Sequence, residues 1–405
     1  MRILMISRCP PWPLHLGDRL IVYNLARELS TLGVTLDLLA FAEVASDWSQ
    51  TEQNQYTKFF HDVMLFDAQR RPPIELARRA LFPAARFPTK PENSFAPELW
   101  REIERRLATN TYDAVHLFGG VQVYDFARLL DGLHTVMTPY ESYSLYTRRV
   151  LARGAVGWRQ ALTDRVNHIA ARNFESWMFA PYDLTTVVSE KDRDELRSLA
   201  PDLRIEVIPN GVELERFMML KRRRKPAQLL FVGNYEYEPN RDAALWLARE
   251  VFPMVRKSVP AARLWLVGNA PTDEMKALAS DYIEVTGRVD DVRPYYTEAT
   301  VFVCPLRIGA GIKNKVLEAL AMGCPVVATP LSVDGIAVAD GESYLRGESA
   351  DDLAAQTERL LTDVELPDTL RENGRQVILD GYSWRGVAER YMALYREKPS
   401  ATRSG

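Results

Sequence analysis

The chain has 405 residues, of which 47% are hydrophobic and 26% charged, with a formal net charge of −3. That length suits two domains with separate cores, and the composition is that of a soluble globular protein. The charge balance argues against a nucleic-acid binder. The three cysteines show no CxxC or Cys/His spacing, which argues against a zinc or disulfide framework. Residues 1–6 are too short for a signal-peptide core and no run of about 18 apolar residues exists to cross a membrane, so the expected location is the cytoplasm or the inner face of its membrane.

The chain opens as a doubly wound α/β domain. Arg2 to Ile6 reads as a buried strand, Pro10 to Arg19 as a rigid loop, Leu20 to Leu32 as a helix closed by Gly33, and Val34 to Phe41 as the second strand. Residues 68–98 are rich in Pro and Arg and are expected to form an irregular surface loop. Strands follow over Tyr112 to Phe118 and from Thr135, the latter ending at Tyr140, Glu141 and Ser142. Glu141 is the carboxylate expected to function at this edge; the alternative is a helix N-cap.

Between Tyr146 and Arg172 six arginines meet one acid, Asp164, and alternate with Leu151, Val156, Trp158, Leu162, Val166 and Ile169. The spacing predicts an amphipathic helix whose basic face is either solvated or turned to an anionic acceptor or membrane surface. A strand over Tyr182 to Ser189 precedes a helix opening at Glu190 with acids in its first turns. Asn210-Gly211 supplies a left-handed turn, and the basic run Lys221 to Pro226 reads as a linker. A second series then starts: a strand over Gln228 to Gly233, a helix through Val255, a strand over Arg263 to Asn269, and a segment Ile283 to Val289. Ala350 to Asp363 is helical, and a last helix runs from Tyr382-Ser383-Trp384 to near Tyr395.

The most informative stretch lies inside this second series. Thr300 to Cys304 is a buried strand, Gly309 and Gly311 let the backbone turn tightly, and Ile312 to Met322 is a helix stopped by Gly323-Cys324-Pro325. A strand, a glycine loop and a helix N-terminus make an anion site. Lys313 and Lys315 are expected in the first turn, where cations oppose the helix dipole unless an anion offsets them. Glu318 lies about one turn further on, within reach of another part of the same ligand. A nucleotide-diphosphate sugar fits both ends; an ordinary βαβ unit with solvent-facing lysines is the alternative. From Gly309 the sequence runs Gly-x-Gly-x-Lys-x-Lys-x-Leu-Glu-Ala-x-Ala-x-Gly-x-Pro-Val-Val. It resembles the donor-binding signature of retaining glycosyltransferases with the GT-B fold, in particular glycosyltransferase family 4, exopolysaccharide-type branch.

The resemblance implies an α/β GT-B fold: two Rossmann-like doubly wound domains facing a cleft, with a C-terminal helix crossing back to the N-domain. The implied boundaries are 1–212 for an acceptor-side domain, 213–226 for a linker, 227–380 for a nucleotide-sugar-binding domain, and 381–405 for the returning helix. In the N-domain it implies that Gly17 approaches the donor through its N–H, although the pair often seen in the family is here Leu16-Gly17. Tyr140 stands where many members carry a histidine beside the reacting sugar, and His116 ends a matching strand as a second-rank catalytic candidate. In the C-domain, Gly233, Asn234 and Asn240 mark the first donor loop, and Arg288 and Val289 the segment whose backbone meets the nucleobase. The family's usual Arg and Lys are here Asn234 and Pro239, so Lys313 and Lys315 are expected to supply the positive charge instead. Gly309, Ala310, Gly311, Ile312 and Asn314 form the phosphate loop, and Glu318 accepts the ribose hydroxyls. Ala310 replaces the first carboxylate of the family's Glu-x7-Glu pattern.

The expected activity is transfer of a hexose, with retention, from a UDP- or GDP-sugar to a hydroxyl of a glycan, a lipid-linked sugar or a small molecule, in polysaccharide biosynthesis. No cofactor or metal is expected, and no nucleic-acid partner. Peripheral membrane contact through the basic N-domain surface is an open expectation. Two alternatives stand beside this reading: a catalytically inactive nucleotide-sugar-binding protein, and another GT-B enzyme such as a sugar-nucleotide epimerase.

Overall fold

The computed structural model describes residues 1–12, 14, 17–42, 58–68, 70–154, 157–219 and 226–397. The basic run 221–225, expected as a linker, and Val156 lie outside the described residues. The chain divides into two compact units, Met1–Ile208 with Val387 onward, and Pro209–Gly386.

The first unit is built on a seven-stranded sheet of order β3-β2-β1-β4-β5-β6-β7. Its strands are β1 (Arg2–Ser7), β2 (Thr35–Ala42), β3 (Asp62–Asp67), β4 (Ala114–Phe118), β5 (Thr135–Thr138), β6 (Leu184–Val187) and β7 (Ile205–Val207), and every pairing is parallel. The central strands are mostly apolar and, apart from Arg2, buried, as a sheet covered on both faces requires. Order reverses between β1 and β4, which places a topological switch point at the carboxyl ends of those two strands. On one face, Leu4, Ile6, Val115, Leu117 and Met137 of the sheet share a core with Trp100, Tyr124, Phe174 and Trp177.

The second unit has a six-stranded sheet of order β10-β9-β8-β11-β12-β13, again wholly parallel. Its strands are β8 (Gln228–Val232), β9 (Arg263–Val267), β10 (Ile283–Gly287), β11 (Val301–Cys304), β12 (Val326–Ala328) and β13 (Leu345–Arg346). Here the switch point falls between β8 and β11.

The last helix, Trp384–Tyr395, passes into the first unit from Val387. There it completes a buried polar network. The Tyr395 hydroxyl lies 2.5 Å from His116 Nδ1, and the Tyr391 hydroxyl 3.1 Å from Thr186 Oγ1. Where the chain first enters the second unit, Gly211 lies so close to Trp384 that a Cβ would meet its backbone nitrogen at 2.5 Å.

The structure corrects two expectations. Residues 68–98 are not an irregular loop: they hold a helix, Pro73–Leu81, two 3-10 turns, Pro83–Ala85 and Pro91–Asn93, and the start of the helix Pro97–Thr109. Each of these elements begins with its proline, which lacks only an N–H that a first turn leaves unused. Arg79 of this segment is buried, donating to Asn93 O at 2.7 Å and Tyr124 Oη at 3.0 Å with its guanidinium 3.8 Å from the Phe95 ring. The basic stretch 146–172 is likewise two helices, Tyr143–Arg153 and Trp158–Glu175, parted at Gly154 and Gly157, both with positive φ. The helix Leu366–Gly381 and strands β3 and β13 were not foreseen.

At the end of β9, Gly268 has φ +145, and a Cβ there would lie 1.8 Å from Gly233 O at the end of β8. Gly268→Ala should therefore lower stability by about 2 kcal/mol or more, from overpacking and backbone strain together. A denaturant midpoint equal to that of the parent chain would refute this.

Candidate active site

In the second unit, the loops that leave β8 and β11 flank the switch point. The loop after β11 turns through Gly309 (φ +128) and Gly311 (φ +65), conformations that disfavour a side chain. The helix then begins at Asn314, two residues later than expected, and runs to Ala321. Lys313 is thus the N-cap and not a first-turn residue, which corrects its predicted place. Its extended backbone lets the side chain fold back, and the ammonium donates to Ala310 O at 2.8 Å and also to Gly311 O. Ala310 and Ile312 are buried in this loop.

Lys315 does lie in the first turn. Its ammonium donates to Asn240 Oδ1 and sits 4.8 Å from the centre of the Phe231 ring on β8. Asn240 belongs to the helix Glu238–Trp246 and donates from Nδ2 to Asn234 O at 2.8 Å. Gly233 admits this approach, because a Cβ there would stand 3.0 Å from Asn240 Cγ. Lys315 therefore joins the loops on either side of the switch point.

Glu318, one turn on, is half-buried and accepts from the Tyr296 hydroxyl at 3.2 Å; the same hydroxyl is 3.2 Å from Lys315 O. Burial raises the Glu318 carboxyl to about 7. Burial, with the positive charge of Lys313 nearby, brings the Lys315 ammonium down to about 8. Two groups held in costly charge states at a switch point are the electrostatic mark of a functional site. Asn314 accepts at Oδ1 from Asn210 Nδ2 at 2.9 Å. Beyond β10, Arg288 is exposed and Val289 half-buried, next to the row of strand-end glycines Gly233, Gly268 and Gly287.

Sequence reasoning missed two residues of this site, Arg307 and Tyr296, whereas Arg241, beside Asn240, is a candidate for polar contacts from the sequence. Arg307, in the glycine loop itself, pairs with Asp242 at 2.6 Å and lies 4.6 Å from the Trp246 ring, fastening the loop to the Glu238–Trp246 helix. Arg241 donates to Tyr235 O at 3.1 Å and steadies the loop after β8. Only the Arg-x-Gly-x-Gly order hinted at Arg307; Tyr296, distant in sequence, gave no signal.

The first unit receives its candidates differently. His116 sits in the middle of β4, fully buried, with Nε2 2.7 Å from Thr138 Oγ1, Nδ1 on Tyr395, and its ring stacked on Phe118 at 3.8 Å. Burial holds its pKa well below the usual histidine value. It is a neutral core residue with both nitrogens engaged by hydroxyl groups.

Tyr140 is buried at the tip of β5 with φ +71, rare for a bulky residue, and burial lifts its hydroxyl well above the usual tyrosine range. The hydroxyl therefore stays protonated near neutrality, able to donate a hydrogen bond but not to act as a base. The Arg8 guanidinium lies 4.7 Å from the Tyr140 ring and pairs with Asp18 at 3.1 Å, next to Gly17, the first residue of the helix Gly17–Thr31. Arg8 and Asp18 were not foreseen. Glu141, next in the chain after Tyr140, is half-buried, and the N-cap role falls to Ser142, whose Oγ accepts from Leu145 N at 3.2 Å.

Two parallel sheets, each with its own switch point, and a terminal helix that returns to the first unit define the GT-B fold. Solved structures agree. A sucrose-phosphate synthase from Thermosynechococcus elongatus matches over 98% of both chains with a TM-score of 0.72 at 19% identity. Anabaena HepE, solved in complex with UDP and glucose, matches over 97% of this chain and 98% of its own, with a TM-score of 0.62 at 13% identity. The family model described as Glycosyltransferase Family 4 matches residues 20–216, and that described as Glycosyl transferases group 1 matches residues 226–363. The chain belongs to this family, the group 1 glycosyltransferases of family 4.

Among curated proteins, the lipopolysaccharide core biosynthesis glycosyltransferase LpsE of Rhizobium meliloti is 31% identical over 35% of this chain and 44% of its own length. The phosphatidyl-myo-inositol mannosyltransferase of Mycobacterium tuberculosis is 30% identical over 46% of this chain and 53% of its own. The chain spans about half the length of the curated relatives it matches.

The raised pKa of Glu318 has a measurable consequence. A carboxyl raised from 4.5 to about 7 favours the folded state fully below pH 4.5, and that contribution is lost as pH climbs through 7. Glu318→Gln, which keeps the Tyr296 contact and does not titrate, should melt higher than the parent chain at pH 8, with the gap closing by pH 4. A lower melting point at pH 8 would show that the ionised carboxylate is stabilising.

Proposed function

We propose that this chain is a retaining glycosyltransferase of the exopolysaccharide type, moving a hexose from a UDP- or GDP-sugar to a hydroxyl acceptor on a glycan, a lipid-linked sugar or a small molecule. The observation that carries the reading is the Lys315–Glu318 pair at the switch point: a desolvated cation and a desolvated carboxylate one helical turn apart, beside a glycine loop. A nucleoside diphosphate satisfies both. Its phosphates meet the ammoniums of Lys315 and Lys313 and the N–H groups of the loop Gly309–Ile312, while its ribose hydroxyls donate to Glu318. The UDP bound by HepE and the sugar transfers named for the curated relatives support this ligand class.

In the reaction, the bond from the sugar's anomeric carbon to the diphosphate oxygen breaks as the acceptor oxygen bonds to the same face. The acceptor proton passes to the departing phosphate oxygen. Charge grows on the diphosphate during this step, and a fixed ammonium on a braced loop stabilises it more than it stabilises the ground state. Lys313, already turned onto the Ala310 and Gly311 carbonyls, needs only a change of side-chain rotamer to follow it. Glu141 is the carboxylate we assign to the acceptor side.

A thermal-shift series with UDP-, GDP-, ADP- and TDP-sugars tests the donor site. One base should raise the melting temperature, since ligand at about 100 times its Kd adds about 2.7 kcal/mol. Lys315→Ala should abolish the shift and lower transfer by about 10²-fold or more. No shift with any donor would overturn the assignment, and binding without turnover would make the chain a nucleotide-sugar-binding protein.

Donor affinity should also depend on pH in a defined way. Below about 7 Glu318 becomes protonated and no longer accepts freely; above about 8 Lys315 loses the charge that meets the phosphates. Affinity should peak between these values, with protons taken up on binding at pH 8.5, measurable by calorimetry in buffers of different ionisation enthalpy. A flat profile from pH 6 to 9.5 would exclude both groups from the donor site.

A further inference from the structure

The first unit carries an apolar face that its own core does not use. On the helix Trp158–Glu175, Trp158, Leu162, Val166 and Ile169 are 72%, 56%, 56% and 68% exposed. Their spacing of i, i+4, i+8 and i+11 puts them on one side of the helix. The opposite side supplies the core contacts, through Ala171 and Phe174. Four large apolar side chains in a row exceed the scattered exposure that a surface ordinarily shows.

Arginines border this stripe. Arg159 and Arg165 are exposed along it and Arg172 continues the line, 3.7 Å from Glu195; the Arg159 guanidinium lies 5.4 Å from the Trp158 ring. The helix has two acids, and both are withdrawn from the surface. Asp164 is buried and accepts from Gln160 at 2.7 Å, and Glu175 is buried beneath the backbone N–H groups of Tyr143 and Ser144. The exposed face is therefore apolar and cationic together. The helix Pro73–Leu81 packs beside it, and Ile74 and Leu81 of that helix are themselves 81% and 73% exposed, with Phe82 just beyond its end.

We propose that this face docks the chain on a membrane surface that bears anionic lipids. Apolar side chains on one side of a helix, with arginines at their margins, match an acyl–headgroup boundary: the stripe enters the hydrocarbon edge and the guanidiniums stay with the lipid phosphates. A soluble anionic acceptor would use the arginines and leave the stripe in water. A second copy meeting this face about a two-fold axis would bring Arg159, Arg165 and Arg172 against their own kind. An acceptor carried on lipid would then be met where it resides.

Cosedimentation of the full chain with vesicles, without any nucleotide sugar, tests this apart from the donor assignment. Vesicles of phosphatidylcholine with equimolar phosphatidylglycerol should bind the chain, and phosphatidylcholine alone should bind it about tenfold less. The triple variant W158S/L162S/I169S should lose about tenfold or more in partitioning with an unchanged melting temperature, since its sites lie outside the core. R159Q/R165Q should remove the preference for the anionic vesicles. The proposal falls if the parent chain ignores the anionic vesicles or if the triple variant binds as the parent does. It falls equally if the parent sediments as a dimer that the triple variant converts to monomer.

Discussion

The second unit is arranged around a positive charge that its surroundings do not by themselves favour. The Lys315 ammonium is drawn between the Asn240 amide oxygen and the Phe231 ring, in a helix turn whose dipole opposes it. Asn240 is in place because Gly233 has no side chain, and the glycine loop is in place because Arg307 ties it to Asp242 and Trp246. Glu318 lies close enough to moderate the charge, yet burial leaves its own carboxyl poorly ionised. A network of this kind stores a charge imbalance that an anionic, hydroxyl-bearing ligand can relieve. Sites of this type forgo stability to gain binding.

The first unit shows the contrary arrangement, in which polar groups are satisfied within the fold. His116, Thr138 and Thr186 on three adjacent strands meet Tyr391 and Tyr395 of the terminal helix, so that β4, β5 and β6 are sealed by the last described segment of the chain. Such a network is specific because each unmade hydrogen bond in it would cost a buried polar group. Near the switch point of this sheet, Tyr140 keeps a strained backbone, and Arg8 is held charged by Asp18 although burial works against it. At this edge, where Glu141 follows Tyr140 in the chain, backbone strain and a buried ion pair occur together.

Much of the fold was legible because its signals are local. Apolar runs marked the central strands, glycine and proline marked most element ends, and the glycine-lysine stretch after β11 marked a glycine loop that leads into a helix carrying Lys315 and Glu318. The errors also have local causes. Pro73, Pro83, Pro91 and Pro97 were read as breakers when each occupies a first turn. Lys313 was placed in the helix because glycine loops do not mark where a helix begins to within a residue or two. His116 and Tyr140 were read by position along a strand, which says nothing of what covers them.

The sequence alone determined the class of most elements, the two series of strands and helices, and the residue types of the glycine loop after β11, since these depend on periodicity and backbone chemistry within short windows. Tertiary structure decided which of those residues share a site. Asn240 reaches Lys315, Asp242 reaches Arg307 and Tyr296 reaches Glu318 only because parallel strands reverse order at β8 and β11. Burial, too, is a property of the packed whole: it silences His116, lifts Glu318, weakens Lys315 and leaves Trp158 with Ile169 facing outward. No window of sequence contains those distances, because the groups that set them come from elements tens of residues apart.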